Sequence, residues 1–344
     1  MKRAEESSVQ QKHSGKMDGA PDGGVRLTAT QAARHAGLLC ANVERALLGK
    51  PEVVRRAVET LIAGGHLLLE DVPGVGKTTL AHALARSIDA SFRRIQFTSD
   101  LLPSDLLGGS IPDNRSGTLG AFVFQPGPIF ANVVLADEIN RASPKVQSAL
   151  LEAMGEGAAT IEGVTHVLPR PFFVIATQNP LEHHGTHPLP ESQLDRFLMR
   201  CSIGYPDAAD EAALLREDPA ATALPTLEPV VDIDTVLAMQ AVANAVKFGE
   251  TLADYLLRIV HGTREHDALE YGVSPRGAIA LRRAAQARAL VDGRDYCIPE
   301  DVRELAVDVL AHRVLLDPRT AHARSGEETT WIVREVLEQV PVPL

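Results

Sequence analysis

Cysteine is scarce. Cys40, Cys201 and Cys297 are odd in number, far apart and form no CxxC pair, which argues against a disulfide framework or a zinc site and for a reducing compartment. Basic residues are in the minority, with 34 Lys+Arg against 45 Asp+Glu and a formal charge of -11. Sequence-independent attraction to phosphate backbones needs clustered Lys and Arg, so a generic nucleic-acid binder is not expected, although a local basic channel stays open. No apolar run reaches the roughly 18 residues of a membrane span, and the N-terminal stretch lacks the apolar core of a secretory leader. These absences predict a soluble, cytoplasmic chain. What is present is ordinary globular composition, 45% hydrophobic and 23% charged over 344 residues, enough for a sizeable core and, at roughly 150 residues each, about two domains.

Residues 1–28 mix Ser, Gln, Lys, Asp and Gly with few apolar side chains and read as a disordered tail. Helical spacing begins near residue 29 through Leu38, Leu39, Val43 and Leu47, and recurs from Val53 to Ile62 before Gly64-Gly65. Between Gly65 and Pro206 short apolar runs alternate with helical ones: Leu67-Leu69, Ile95-Phe97, Val133-Ala136, Phe172-Ala176 and Met199-Ile203. Runs apolar on both faces suit a buried parallel sheet between helices, an α/β domain over 29–206. After a Pro-rich linker over 207–229 no strand pattern survives, and 230–344 reads as an all-helical domain. Its clearest helix has Ser274 as N-cap, Pro275 at the first helical position and an end near Gly293; another opens at Pro299-Glu300-Asp301.

The Leu67-Leu69 strand runs through Asp71-Val72-Pro73-Gly74-Val75-Gly76-Lys77-Thr78-Thr79 into a helix, Leu80 to Ile88. That order is the context of a phosphate-binding loop, in which backbone N–H groups cradle phosphates, a lysine reaches the β/γ-phosphates and a hydroxyl such as Thr78 holds Mg²⁺. The usual pattern opens with Gly where Asp71 stands, so a strict search would miss this loop. Asp tolerates unusual backbone angles better than most residues, which is the expected reason for its presence. The alternative is a chance Gly-rich turn.

Sixty positions beyond Lys77, the Val133-Ala136 strand delivers Asp137 and Glu138 at its C-terminal end, where ligands of open α/β sheets bind. Asp137 would hold Mg²⁺ through water and Glu138 would polarise an attacking water, unless the pair is a plain solvated strand end. Helix Ser143 to Gly155 reads as capped, with a Gly stop and a packing face. The strand at Phe172-Thr177 leads to Asn179, an amide able to orient the lytic water or simply to cap the strand. Arg196, among apolar neighbours, and Arg276, second in the Ser274-Pro275 helix, could spread charge over transferring phosphates or form structural salt bridges. His183, His184 and His187 suggest either a metal or a polar loop, and no acid or cysteine completes the set.

Together the motifs resemble an AAA+ ATPase, and more closely the MoxR family, over about residues 37–316. The matching text is Gly65 to Gly74, Ala136-Asp137-Glu138-Ile139-Asn140-Arg141-Ala142, Leu150 to Met154, Thr177-Gln178-Asn179-Pro180, Leu189-Pro190-Glu191, Gln193 to Phe197, Gly272 to Arg276 and Gly293 to Tyr296. The resemblance implies a P-loop NTPase core with a parallel five-stranded sheet, a smaller helical lid, and ATP with Mg²⁺ as ligands. It implies that Lys77 is the Walker A lysine, Asp137 and Glu138 are Walker B, Asn179 is sensor 1, Arg276 is sensor 2, and Arg196 is an arginine finger serving a neighbouring subunit. It also implies pore-facing hairpins, matched here by about 109–125, with a turn at Asp113-Gly117, and by about 158–169. A homo-oligomeric ring, expected to be a hexamer, would act as a chaperone-like machine that remodels client complexes, with von Willebrand A domain proteins as partners. Two other classes compete. One is a nucleic-acid motor, against which the net charge argues; the other is a slow, nucleotide-gated scaffold, against which the complete Walker residues argue.

Overall fold

The computed structural model describes residues 25–112, 122–179, 186–319 and 326–343. Helices α1 (Ala29–Glu44) and α2 (Pro51–Ile62) precede strand β1 (Leu67–Glu70), helix α3 (Lys77–Ser87), strand β2 (Phe92–Gln96) and the short α4 (Pro103–Leu107). A hairpin β3 (Gly108–Pro112) and β4 (Phe122–Pro126) leads to β5 (Val133–Asp137) and α5 (Pro144–Glu156). A second hairpin, β6 (Ala158–Ile161) and β7 (Val164–Val167), is followed by β8 (Phe173–Gln178), α6 (Glu191–Leu194) and β9 (Met199–Cys201). Beyond lie α7 (Ala208–Glu217), α8 (Pro219–Thr222), α9 (Ile233–Ala245), α10 (Glu250–Arg264), β10 (Leu269–Tyr271), α11 (Pro275–Val291), α12 (Pro299–Leu310), β11 (Leu315–Leu316) and α13 (Gly326–Gln339).

The five-stranded sheet is parallel throughout, in the order β2-β5-β8-β1-β9. Its three inner strands are apolar on both faces, as helices on either side require, and every residue of β5 is buried. Edge strand β2 behaves differently. Only Ile95 is buried in it, so the apolar-run reading, which places a strand at Ile95-Phe97, starts three residues late, ends one beyond and misses the polar half. Another correction concerns the second half, where β10 and β11 pair antiparallel. Strands of two and three residues are too short to leave a periodic trace.

One apolar core runs from the sheet face under α3 through α1 and α2 into α9, α10, α11 and α12; a second fills the opposite face under α5. A buried ionic cluster joins the same elements. Glu59 of α2, wholly buried, accepts from Arg55 and Arg56, and Arg56 reaches Asp308 of α12 at 2.8 Å. Buried carboxylates are tolerated only when paired in this way.

The expected caps hold in part. Ser274 accepts from the Gly277 N–H at the start of α11. Ser143 stands at the N-cap of α5 without a side-chain cap bond, and that helix passes Gly155 to end at the left-handed Gly157. Gly155 instead leaves room, because a Cβ there would sit 2.5 Å from Arg196 Nη1. The turn expected at Asp113-Gly117, Pro180, His183, His184 and residues 1–24 of the expected tail lie outside the described residues. No described helix is long and apolar enough to cross a membrane.

Candidate active site

The C-terminal ends of β1, β5 and β8 converge with the start of α3 around a cavity of about 340 Å³. The chain enters α3 through Gly74 (φ +88°) and Gly76 (φ +100°), left-handed conformations that favour glycine. At Gly76 space matters as well, since a Cβ would meet Leu47 Cδ1 at 2.6 Å. Pro73, Gly74, Gly76, Lys77, Thr78 and Thr79 line the cavity, and the orphan N–H groups of the α3 start favour an anion there. Lys77 Nζ donates to the Asp71 carbonyl at 2.7 Å.

Asp71 corrects the sequence expectation. Its backbone is not left-handed, and the carboxylate turns away from the cavity. Oδ2 accepts from Ser202 Oγ at 2.9 Å, Ile203 N at 2.7 Å and Gly204 N at 2.6 Å, and Oδ1 accepts from Val72 N at 2.8 Å. The side chain therefore ties the loop to the segment after β9. Neither Val72 nor Val75 lines the cavity. Burial alone would raise the Asp71 pKa, but the donors from Gly204, Ser202, Val72 and Ile203 outweigh it and hold the carboxyl below its ordinary value. Asp71→Ala, which leaves buried donors unpaired, is expected to destabilise the fold by about 2–4 kcal/mol near neutral pH. Because the folded pKa is the lower one, this contribution is complete above the unfolded value near ~4 and is lost as pH falls through the folded value. Chemical denaturation of wild type and variant across acidic pH should show the gap closing; a constant gap would refute the assignment.

On β5, Asp137 Oδ1 accepts from Thr177 Oγ1 at 2.6 Å, and Oδ2 accepts from Arg94 Nη2 at 2.6 Å and Nε at 3.1 Å. Glu138 is left-handed (φ +57°), a conformation that costs a non-glycine residue about 1 kcal/mol or more. Its N–H donates to Thr177 Oγ1 at 2.9 Å, while Oε2 accepts from Gln96 Nε2 at 2.7 Å and Arg141 Nη1 at 2.9 Å. Asn179, buried at the end of β8, completes the wall. Sequence reading missed Arg94, Gln96 and Arg141. The first two were findable, because two-residue alternation along β2 puts them on one face, level with Leu135 and Asp137.

The two expected arginines lie elsewhere. Arg196 Nη1 donates to the Leu151 carbonyl at 2.5 Å and lines a separate cavity of about 820 Å³ between α5 and the β6-β7 hairpin. Arg276 does not line the Lys77 cavity; its half-exposed side chain places Nε 3.5 Å from Asp195 Oδ2. Asp195 also takes the buried Arg313 at 2.7 Å, so one carboxylate of the α/β half holds two arginines of the helical half. His187 meets Asn140 and Gln147 through its backbone, and no metal-binding cluster occurs among the described residues.

The model of ATPases associated with various cellular activities (AAA) matches residues 66–199, and that of the AAA lid domain matches residues 261–336. The chain is 48% identical to the uncharacterized protein YeaC of Bacillus subtilis, over 88% of this chain and 93% of that one. It is 42% identical to the chaperone MoxR1 of Mycobacterium tuberculosis, over 88% and 80%. The chain belongs to the MoxR family of AAA+ ATPases. A crystal structure of a candidate ATPase from Cytophaga hutchinsonii superposes on this MoxR-family chain with a TM-score of 0.83 at 38% identity, covering 92% of this chain and 97% of that one. The expected α/β core with its helical lid is thereby established for this MoxR-family member, whose lid also carries the β10-β11 pair.

Proposed function

We propose that the chain hydrolyses ATP to ADP and phosphate with Mg²⁺, works as a homo-oligomeric ring, expected to be a hexamer, and remodels client protein complexes in the cytoplasm. The observation that carries the reading is the meeting of Lys77, Thr78, Asp137, Glu138 and Asn179 on one cavity at the start of α3. The donor set suits Mg²⁺, a hard cation that takes hydroxyl, carboxylate and water oxygens: Thr78 and Asp137 line the same wall, and Asp137 already holds a cationic group on Oδ2. When bound, the ion would neutralise charge on the transferring phosphates.

In this reading Lys77 and the Gly74-Thr79 amides bind phosphate, Glu138 takes a proton from the attacking water, and Asn179 orients that water. Gln96 and Arg141 share the Glu138 Oε2 and fix the carboxylate in place. Arg196, bonded to the Leu151 carbonyl and outside the lining of the Lys77 cavity, would serve a neighbouring subunit, and Arg276 would couple the lid to the nucleotide. The client role draws support from the chaperone name of the Mycobacterium tuberculosis relative, and a von Willebrand A domain partner stays a family-based expectation. Phosphate release by the purified chain should require Mg²⁺, cease in EDTA and be absent from Lys77→Ala, which should also lose binding of a fluorescent ATP analogue. Turnover by Lys77→Ala equal to wild type would refute the site.

A further inference from the structure

Arg94 stands on edge strand β2, with half of its side chain exposed. Packing does not require a guanidinium there, since the buried residue of that strand is Ile95. Yet two of its nitrogens converge on a single oxygen, Asp137 Oδ2, while the other oxygen is taken by Thr177. The Asp137 side chain is only 11% exposed, and both it and the guanidinium bonded to it line the same cavity as Lys77 and Thr78.

We propose that Arg94 is the resident counter-ion of Asp137, displaced by Mg²⁺ when nucleotide binds, so that this side chain sets the Mg²⁺ concentration at which nucleotide is held. The inference rests on the reading of the cavity as a Mg²⁺-nucleotide site. Its physical basis is charge balance. A carboxylate facing polyphosphate without a cation repels it, and Arg94 removes that repulsion while metal is absent. A hydrated divalent ion held through water needs an acceptor site on Asp137 that two Arg94 nitrogens now occupy, and the two cations repel each other at close range, so the ion must compete with the arginine for the carboxylate. Arg94 thus favours metal-free nucleotide and opposes the metal.

The test uses the full chain, N-methylanthraniloyl-ADP fluorescence and Mg²⁺ added back from EDTA, so that no turnover enters the readout. Arg94→Gln should lower the Mg²⁺ midpoint about fivefold, equivalent to ~1 kcal/mol for a half-exposed ion pair, and should weaken nucleotide binding in EDTA. Arg94→Lys keeps the charge with a single contact; it should shift the midpoint about twofold in the same direction and serves if the Gln variant does not fold. An unchanged or raised midpoint in folded variants overturns the proposal, a raised one meaning that Arg94 orders Asp137 for the metal. A wild type that binds no nucleotide, or binds it without a Mg²⁺ response, would instead defeat the reading of the cavity and the proposal with it.

Discussion

Glu138→Gln is expected to bind ATP within about threefold of wild type and to lose turnover by a factor of about 10²–10⁴, the usual worth of a positioned general base. The amide keeps the size of the carboxylate, so the left-handed turn after β5 and the cavity wall survive. What it cannot do is accept a proton from water in the transition state. Lys77→Ala is expected to lose binding as well as turnover, because an ammonium facing phosphate acts in the ground state as well. Binding of a fluorescent ATP analogue and phosphate release, measured on both variants, separate the two roles. Equal losses of binding would remove the assignment of Glu138 as base.

Arg196→Ala should also bind ATP almost normally, while hydrolysis falls by about a thousandfold, the low end of what an arginine finger supplies. Its guanidinium donates to the carbonyl of Leu151 and lines a cavity other than that of Lys77, a placement that suits action on a neighbouring subunit. Rings mixed from Arg196→Ala and Glu138→Gln subunits should regain part of the activity, since an intact Arg196 then faces an intact Glu138 at one class of interface. Absence of rescue in rings shown to be mixed, or a variant as active as wild type at every protein concentration, would exclude action on a neighbour.

Strands β1, β5 and β8 were legible in the sequence because burial on both faces leaves an unbroken apolar run. The edge strand was legible only at its apolar end, Ile95, since solvent along the sheet edge allows Arg93, Arg94 and Gln96 into it. The same cause hid Arg94 and Gln96 from the site. Asp71 was visible as an exception to a pattern, but its reason was not, because its partners Ser202, Ile203 and Gly204 lie far along the chain. Arg276 illustrates the limit most clearly: a guanidinium at a helix start shows nothing of the Asp195 carboxylate that receives it. Helix periodicity and caps are local properties, whereas ion-pair partners depend on how the two halves come together.

The two hairpins are not independent arms. Phe124 of β4 stacks on His166 of β7 with ring centroids 3.9 Å apart, Phe130 meets both edge-on, and Ser110 of β3 donates to Glu162 at the tip of the second hairpin. One hairpin springs directly from α4, the other from the end of α5, and those helices pack together. A mechanical load on either hairpin is therefore divided between two anchor points, and the two brace each other as the struts of a truss do. A pair joined in this way resists sideways bending far better than a lone two-stranded ribbon, which is only marginally stable without support. Stiffness at this end of the molecule comes from two ring faces and a hydroxyl rather than from strand length.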